Sequence, residues 1–279
     1  MSAEAAALPR ELRFTTADFQ RARRLIHQRA GIALSEGKRD MVYGRLARRV
    51  RQHGLASVGE YLDFLERSDE AEWQAFTNAM TTNLTAFFRE PHHFDTLREL
   101  FGRLQRREPL RLWCAAASTG EEPYSLAMTA VEHFGGFDAP VRVLATDIDT
   151  QVLATAQHGV YPLQRVEKLE PERLRRFFLR GTGANDGQCR VAEGLRRMID
   201  FRPLNLLDPQ WPLRGPFDAV FCRNVMIYFD KATQYRILAR IMPLLARDGL
   251  FFAGHSESFF HAADLLRPLG RTVYAHPGH

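Results

Sequence analysis

The sequence predicts an α/β protein: a parallel, doubly wound sheet covered on both faces, preceded by an all-helical first third and interrupted by a small β-rich insertion. Three observations predict it. From about residue 110 onward, short apolar runs alternate with helical stretches. Before that point no period-two alternation occurs, and apolar residues recur at helical spacing. Between the later strands, "GTGANDG" makes a turn between "RRFFLR" and "QCRVAEG" and breaks the strand–helix rhythm.

Taken in order, "TTADFQRARRLIHQRAG" opens with Thr and Asp as candidate caps and closes on Gly31. "SEGKRDMVYGRLARRVRQHG" places Val42, Leu46 and Val50 on one helical face and stops at Gly54. "SVGEYLDFLERSDEAEWQAFTNAMTTNLTAFF" continues the helical pattern, with Tyr61, Leu62 and Leu65 as its stripe. The strand-like runs that follow are "LRLWCAAA", "VRVLATD", "MIDFRPLNL", "FDAVFCRN" and "GLFFAG". Helices "YSLAMTAVEHF", "DTQVLATAQHG" and "DKATQYRILARIMPLLARDG" lie between them, the first with Pro123 where it would begin and Gly135-Gly136 at its end. The domains implied are residues 1–88, helices and a linker, and 89–279, the sheet domain, with the insertion at about 159–197.

The chain has 279 residues, of which 45% are hydrophobic and 25% charged, a globular balance that excludes wholesale disorder. The first residues carry no apolar leader core, and no apolar run approaches the ~20 residues of a membrane span. Cys114, Cys189 and Cys222 lie far apart without metal-ligand spacing, which fits buried thiols in a reducing cytoplasm. The net charge is only +5, yet Arg21 to Arg51 holds ten Lys/Arg against two acids, Glu36 and Asp40. That excess implies an anionic partner.

The turn after the first strand, Ala117-Ser118-Thr119-Gly120-Glu121-Glu122, ends a strand and opens a helix, the place where such sheets bind ligands. A pyrophosphate needs several glycines for close backbone approach, and two glutamates would repel it. A cationic or zwitterionic ligand suits the acids better; the alternative is that they only complement the helix dipole. Asp147 ends the second strand, where an acid accepts from ribose hydroxyls, while Asp149 is placed to cap the next helix. A phosphate-free nucleoside zwitterion satisfies all three features. S-adenosylmethionine is therefore expected rather than NAD.

The stretches "NLTAFFRE" (83–90), "AAASTGEEPYS" (115–125), "TDID" (146–149), "NLLD" (205–208), "FCRNVMIYF" (221–229) and "GHSES" (254–258) resemble the CheR-type chemotaxis receptor glutamate O-methyltransferases. The likeness runs from about Thr15 to Tyr274. It implies a Rossmann-like class I methyltransferase domain with an inserted antiparallel β-subdomain, behind a small all-α domain that faces the receptor. It also implies cofactor contacts at Asn83, Thr85, Arg89, Glu122, Asp147, Asn205, Leu206, Arg223 and Asn224. The residues by themselves leave plainer roles open: helix caps for Asn83 and Thr85, a turn for Asn205, an ion pair for Arg223.

The reaction so implied moves a methyl group onto a glutamate oxygen, leaving S-adenosyl-L-homocysteine. A glutamate of pKa ~4.3 is already ionised at neutrality, so no general base is expected. Tyr228 is the one catalytic candidate, as a group that orients the carboxylate or lines the cleft; His255 need not take a proton. His92 and His93 read as helix-start residues, and no metal is expected because a third ligand is missing. Lys38, Arg45 and Arg49 share a narrow helical stripe, with Arg48 beside it, as a face for the acidic methylation helices of chemoreceptors. The resemblance also raises capture of a receptor's C-terminal peptide by the β-subdomain. A monomer is expected, without membrane insertion and without nucleic acid, since no aromatic-interleaved platform accompanies the charge. A nucleic-acid methyltransferase and a non-enzymatic receptor adaptor are the alternative readings.

Overall fold

Thr15 closes a capping box with Asp18, and Gly31 ends the same helix in the left-handed region at φ 69°, so α1 spans Thr16–Ala30. The computed structural model describes residues 12–104 and 109–278; the first eleven residues, read above for a leader, lie outside that range. The chain divides into two compact units, Met1–Thr81 and Thr82–His279. The segment 82–88, grouped above with the helices, thus falls in the second unit, where Phe87 joins the core and Phe88 N donates to Ser125 Oγ at 2.9 Å.

The first unit continues with α2 (Arg39–Gln52), α3 (Val58–Glu66) and α4 (Glu70–Met80). Val42, Leu46, Val50, Tyr61, Leu62 and Leu65 are all fully buried, as their spacing requires. The basic stripe is a different matter. Lys38 and Arg48 are exposed, but Arg45 donates to Met80 O at 2.7 Å, at the end of α4. Arg49 pairs with Glu72, whose carboxylate also accepts from Tyr61 Oη at 2.6 Å and lies 3.0 Å from His53 Nε2. Two of the four cations are therefore engaged inside the helical unit. Helical periodicity placed them on one face but could not show that acceptors on α4 reach that face.

In the second unit, α5 (His92–Arg103) precedes β1 (Leu110–Cys114), α6 (Glu121–Phe134), β2 (Val141–Asp147) and α7 (Thr150–His158). The insertion follows: β3 (Val160–Pro162), α8 (Pro171–Phe177), β4 (Phe178–Arg180), β5 (Gln188–Val191) and the short α9 (Glu193–Arg196). Its three strands form an antiparallel sheet in the order β3-β5-β4. The main chain then runs through β6 (Ile199–Pro203), β7 (Phe217–Phe221), α10 (Lys231–Ile241), β8 (Leu245–Phe252), β9 (Arg267–Gly270) and β10 (Val273–Ala275).

The large sheet has the order β6-β2-β1-β7-β8-β10-β9. The five strands read from the sequence pair in parallel, whereas β10 and β9 are antiparallel, so the sheet is not wholly parallel as expected. That hairpin is short, and β9 is exposed throughout, so it lacks the apolar run that marks a buried strand. Apolar clusters lie on both faces of the sheet, one including residues of α5 and α6 and the other residues of α10. The order reverses between β1 and β7, and such a reversal opens a crevice beyond their carboxyl ends. Among the described residues no helix is long and apolar enough to cross a membrane.

Arg49→Met leaves the buried Glu72 carboxylate without its guanidinium, a loss of about 2–3 kcal/mol once partial exposure is allowed for. Urea unfolding of the full chain should show it, while Lys38→Met and Arg48→Met unfold as wild type does. Identical midpoints for all three variants would rule out the structural role of Arg49.

Candidate functional site

The turn that leaves β1 is held by the end of β2. Ala117 N donates to Thr146 O at 2.9 Å, and Ser118 N donates to Asp147 Oδ2 at 2.7 Å. Ser118 sits in the left-handed region at φ 49°, and its buried Oγ has no partner. Gly120, at φ 99°, explains the glycine-poor turn. A Cβ there would lie 2.8 Å from both Ala156 Cβ and Tyr161 Oη, so this glycine is needed for packing rather than for admitting a phosphate.

The two glutamates that follow have separate tasks. Glu121 is fully buried and pairs with Arg165 of the insertion, accepting also from Thr119 Oγ1 at 2.6 Å. It anchors the insertion. Glu122 accepts from Arg223 Nη1 at 2.6 Å and from Cys114 Sγ at 3.2 Å. Arg223 is itself buried, lies 3.4 Å from Glu90 Oε2 and donates to Arg89 O. One guanidinium thus ties together the segments after β1, after β7 and before α5.

Burial alone would raise the Glu90 carboxyl, but Arg223 and the hydrogen bonds from His255 outweigh it and hold the group at about 2. Burial, reinforced by Arg223, pushes His93 down to about 4, so it is neutral at pH 7. Near neutrality Glu122, Glu90 and Arg223 sum to one negative charge, and Asp147 adds a second. Burial pushes Asp147 up to about 6 against the hydrogen bonds from the Asp149 and Ser118 N–H groups. The cluster attracts a cationic ligand and repels a pyrophosphate. Burial raises the Cys114 and Cys222 thiols well above their ordinary value, and all three cysteines are free and buried.

Every expected cofactor residue lies in the second unit. Asn83 Nδ2 donates to Asp149 Oδ2 at 2.9 Å, while Asp149 caps α7 through Gln151 N and Val152 N. Thr85 is half-buried, and Arg89 Nη1 donates to Leu84 O at 3.1 Å. Asn205 Oδ1 accepts from Leu207 N at 2.9 Å, and Leu206 is buried against the α10 face. Asn224, at φ 58°, and Tyr228 are half-buried on the loop after β7. Ser118 Oγ, Glu90 Oε2 and Arg223 Nε are buried there without hydrogen-bond partners. Carboxylates for ribose hydroxyls and an ammonium, a guanidinium for a carboxylate and spare buried donors and acceptors fit S-adenosylmethionine.

Sequence reasoning missed two acids here. Glu90 holds His255 through N (3.2 Å) and Nδ1 (3.1 Å) and supplies the third group near His92 and His93. Glu257 is buried and accepts from Asn224 N and Met226 N. Both stand inside quoted motifs, "NLTAFFRE" and "GHSES". Their partners are distant in sequence, so spacing carried no signal.

A family model for the CheR methyltransferase SAM binding domain matches residues 83–275, and one for the CheR methyltransferase all-alpha domain matches residues 17–81. Chemotaxis protein methyltransferase 2 of Pseudomonas aeruginosa is 55% identical over 266 residues, covering 95% of each chain. The chemotaxis protein methyltransferase of Escherichia coli is 53% identical, over 95% of this chain and 92% of its own. That of Salmonella typhimurium is 52% identical, over 96% and 93%.

A carboxylate that accepts two ribose hydroxyls is best ionised, and burial pushes Asp147 up to about 6. S-adenosylhomocysteine affinity measured by calorimetry should therefore be flat above pH 7. Below pH 6 it should fall toward tenfold per unit as the proton competes. Asp147→Asn should bind weakly at every pH and lose the slope. Wild-type affinity that holds level from pH 8 to pH 5 would remove Asp147 from the ribose.

Proposed function

The chain belongs to the CheR methyltransferase family, and we propose that it transfers the methyl group of S-adenosylmethionine to glutamate side chains of chemoreceptors. The observation that carries this reading is the net negative cluster of Glu122, Arg223, Glu90 and Asp147 at the switch point, which favours a sulfonium zwitterion.

The bound cofactor supplies an electrophilic methyl group. The chain's own residues bind, orient and exclude water. Asp147 accepts from the ribose, and the Glu122–Arg223 pair offers opposite charges to the ammonium and carboxylate of the methionine part. Asn205 and Leu206 would hold the adenine, and Asn83, Thr85 and Arg89 would close the site from the segment before α5. Asn224 and Tyr228 flank the approach of the receptor carboxylate. That carboxylate arrives ionised, so alignment of oxygen, carbon and sulfur is what remains to be supplied. An ion pair to the incoming oxygen would blunt it, which suits an arginine already committed to Glu122.

A protein substrate also fits the surface. Ile227 and Phe260, 48% and 90% exposed, follow β7 and β8 on the carboxyl side of the sheet, and Leu84 is 78% exposed. Lys38 and Arg48 offer the exposed positive charge of the helical unit to acidic receptor helices, with Arg45 and Arg49 engaged behind them. In the insertion β5 is central, so β3 and β4 are edges, and Leu179 on β4 is 63% exposed. A receptor's C-terminal peptide would add to such an edge. We take the enzyme to be a cytoplasmic monomer that leaves nucleic acid alone.

Tritiated S-adenosylmethionine should label receptor membranes with base-labile methyl, and no label on any receptor of the organism would reject the reading. Ile227→Ser and Phe260→Ser should raise the receptor KM several-fold with S-adenosylhomocysteine affinity unchanged. An unchanged receptor KM would take the apolar rim out of recognition.

A further inference from the structure

The loop after β7 carries Arg223, Asn224 and Tyr228, and an acid beyond β8 grips it. Glu257 Oε2 accepts from Asn224 N at 3.0 Å and from Gly254 N, and Oε1 accepts from Met226 N at 2.8 Å. From the other side, Gln234 Nε2 donates to Met226 O at 2.8 Å and to Phe229 O at 3.0 Å. The turn is clamped through its N–H groups by a carboxylate and through its carbonyls by an amide. Asn224 is meanwhile held at φ 58°, a conformation non-glycine residues rarely adopt. A Cβ on Gly254 would fall 2.2 Å from Asn224 Nδ2 and 2.8 Å from Asn224 N, so this approach also requires glycine at 254.

Glu257 is only 5% exposed, and its carboxylate meets backbone N–H groups rather than a cation. A buried carboxylate without a cation is costly, and an ordinary turn needs no such group. We infer that Glu257 is a positioning residue for methyl transfer, fixing the left-handed Asn224 and the turn through Tyr228 so that both face the cofactor crevice. The inference rests on the methyltransferase reading of that crevice. Burial raises the Glu257 carboxyl, and the backbone N–H groups of Gly254, Asn224 and Met226 oppose that rise.

Glu257→Gln keeps the shape but turns an NH2 toward backbone donors. In the full chain it should weaken S-adenosylhomocysteine binding at least tenfold in calorimetry and lower kcat more than tenfold, with the receptor KM changing less than kcat does. Adding Asn224→Ala to Glu257→Gln should weaken binding no further than the stronger single change, since one acts through the other. Gly254→Ala leaves the carboxylate in place and displaces Asn224, so it should reproduce the same loss even where Glu257→Gln does not fold. Effects that multiply, or a Glu257→Gln enzyme with lower melting temperature but wild-type binding and kcat, would overturn the inference. Failure of the wild-type enzyme to bind S-adenosylhomocysteine would instead overturn the cofactor reading itself.

Discussion

The site depends on the buried pair between Arg223 and Glu122. It joins the loop after β7 to the first turn of α6 across the point where the strand order reverses. A buried ion pair adds little net stability, because desolvation offsets most of its attraction. Breaking it by removing one partner is a different matter, since a charge is then left in a dry crevice. This asymmetry makes Arg223 a fixed point. Its remaining contacts, Arg89 O and Glu90, bring the segment before α5 to the same place.

The other acids at the carboxyl edge of the sheet act mainly on backbone. Asp147 at the end of β2 accepts from Ser118 N in the loop after β1, and Asp149 accepts from Asn83. Each carboxylate thus registers a neighbouring loop. The same hydrogen bonds keep negative charge in a crevice where burial opposes it, as the raised Asp147 carboxyl records. Ligand choice follows from this arrangement. A dinucleotide fold neutralises phosphate with glycine backbone and a helix N-terminus. Here Glu122 and Arg223 occupy that position instead, and Gly120 is committed to packing against α7 and β3.

Local features were legible in the sequence. The Thr/Asp cap of α1, the left-handed glycines at 31 and 135, the Asp149 cap and the five parallel strands all follow from spacing within a few residues. The cofactor motifs were legible too, through family resemblance more than through physics. What stayed hidden depends on partners far away in the chain. Glu121 and Glu122 are adjacent and look alike, yet Arg165 claims one and Arg223 the other. Arg49 shares a stripe with Lys38, but only the fold reveals that Glu72 stands against it. Glu257 meets Asn224 across 33 residues, and Glu90 meets His255 across 165. Periodicity has no access to such pairs. The β9–β10 hairpin was hidden for another reason: an exposed strand at the sheet's end needs no apolar run.

The group formed by Glu90, His92 and His93 shows how electrostatics separates two readings of one geometry. Their ligand atoms lie within 4.8 Å of one another, which is close enough to hold a metal ion. Arg223, however, stands 3.4 Å from Glu90 Oε2 and pushes His93 further toward neutrality. A divalent ion would have to enter beside a buried guanidinium; Arg271 O lies 3.2 Å from His92 Nε2 and 3.1 Å from His93 Nε2, while His93 Nδ1 lies 3.6 Å from Glu90 Oε2. With one cation present, Glu90 is already ionised and His93 already neutral. The guanidinium already supplies the positive charge that the Glu90 carboxylate would otherwise take from an ion.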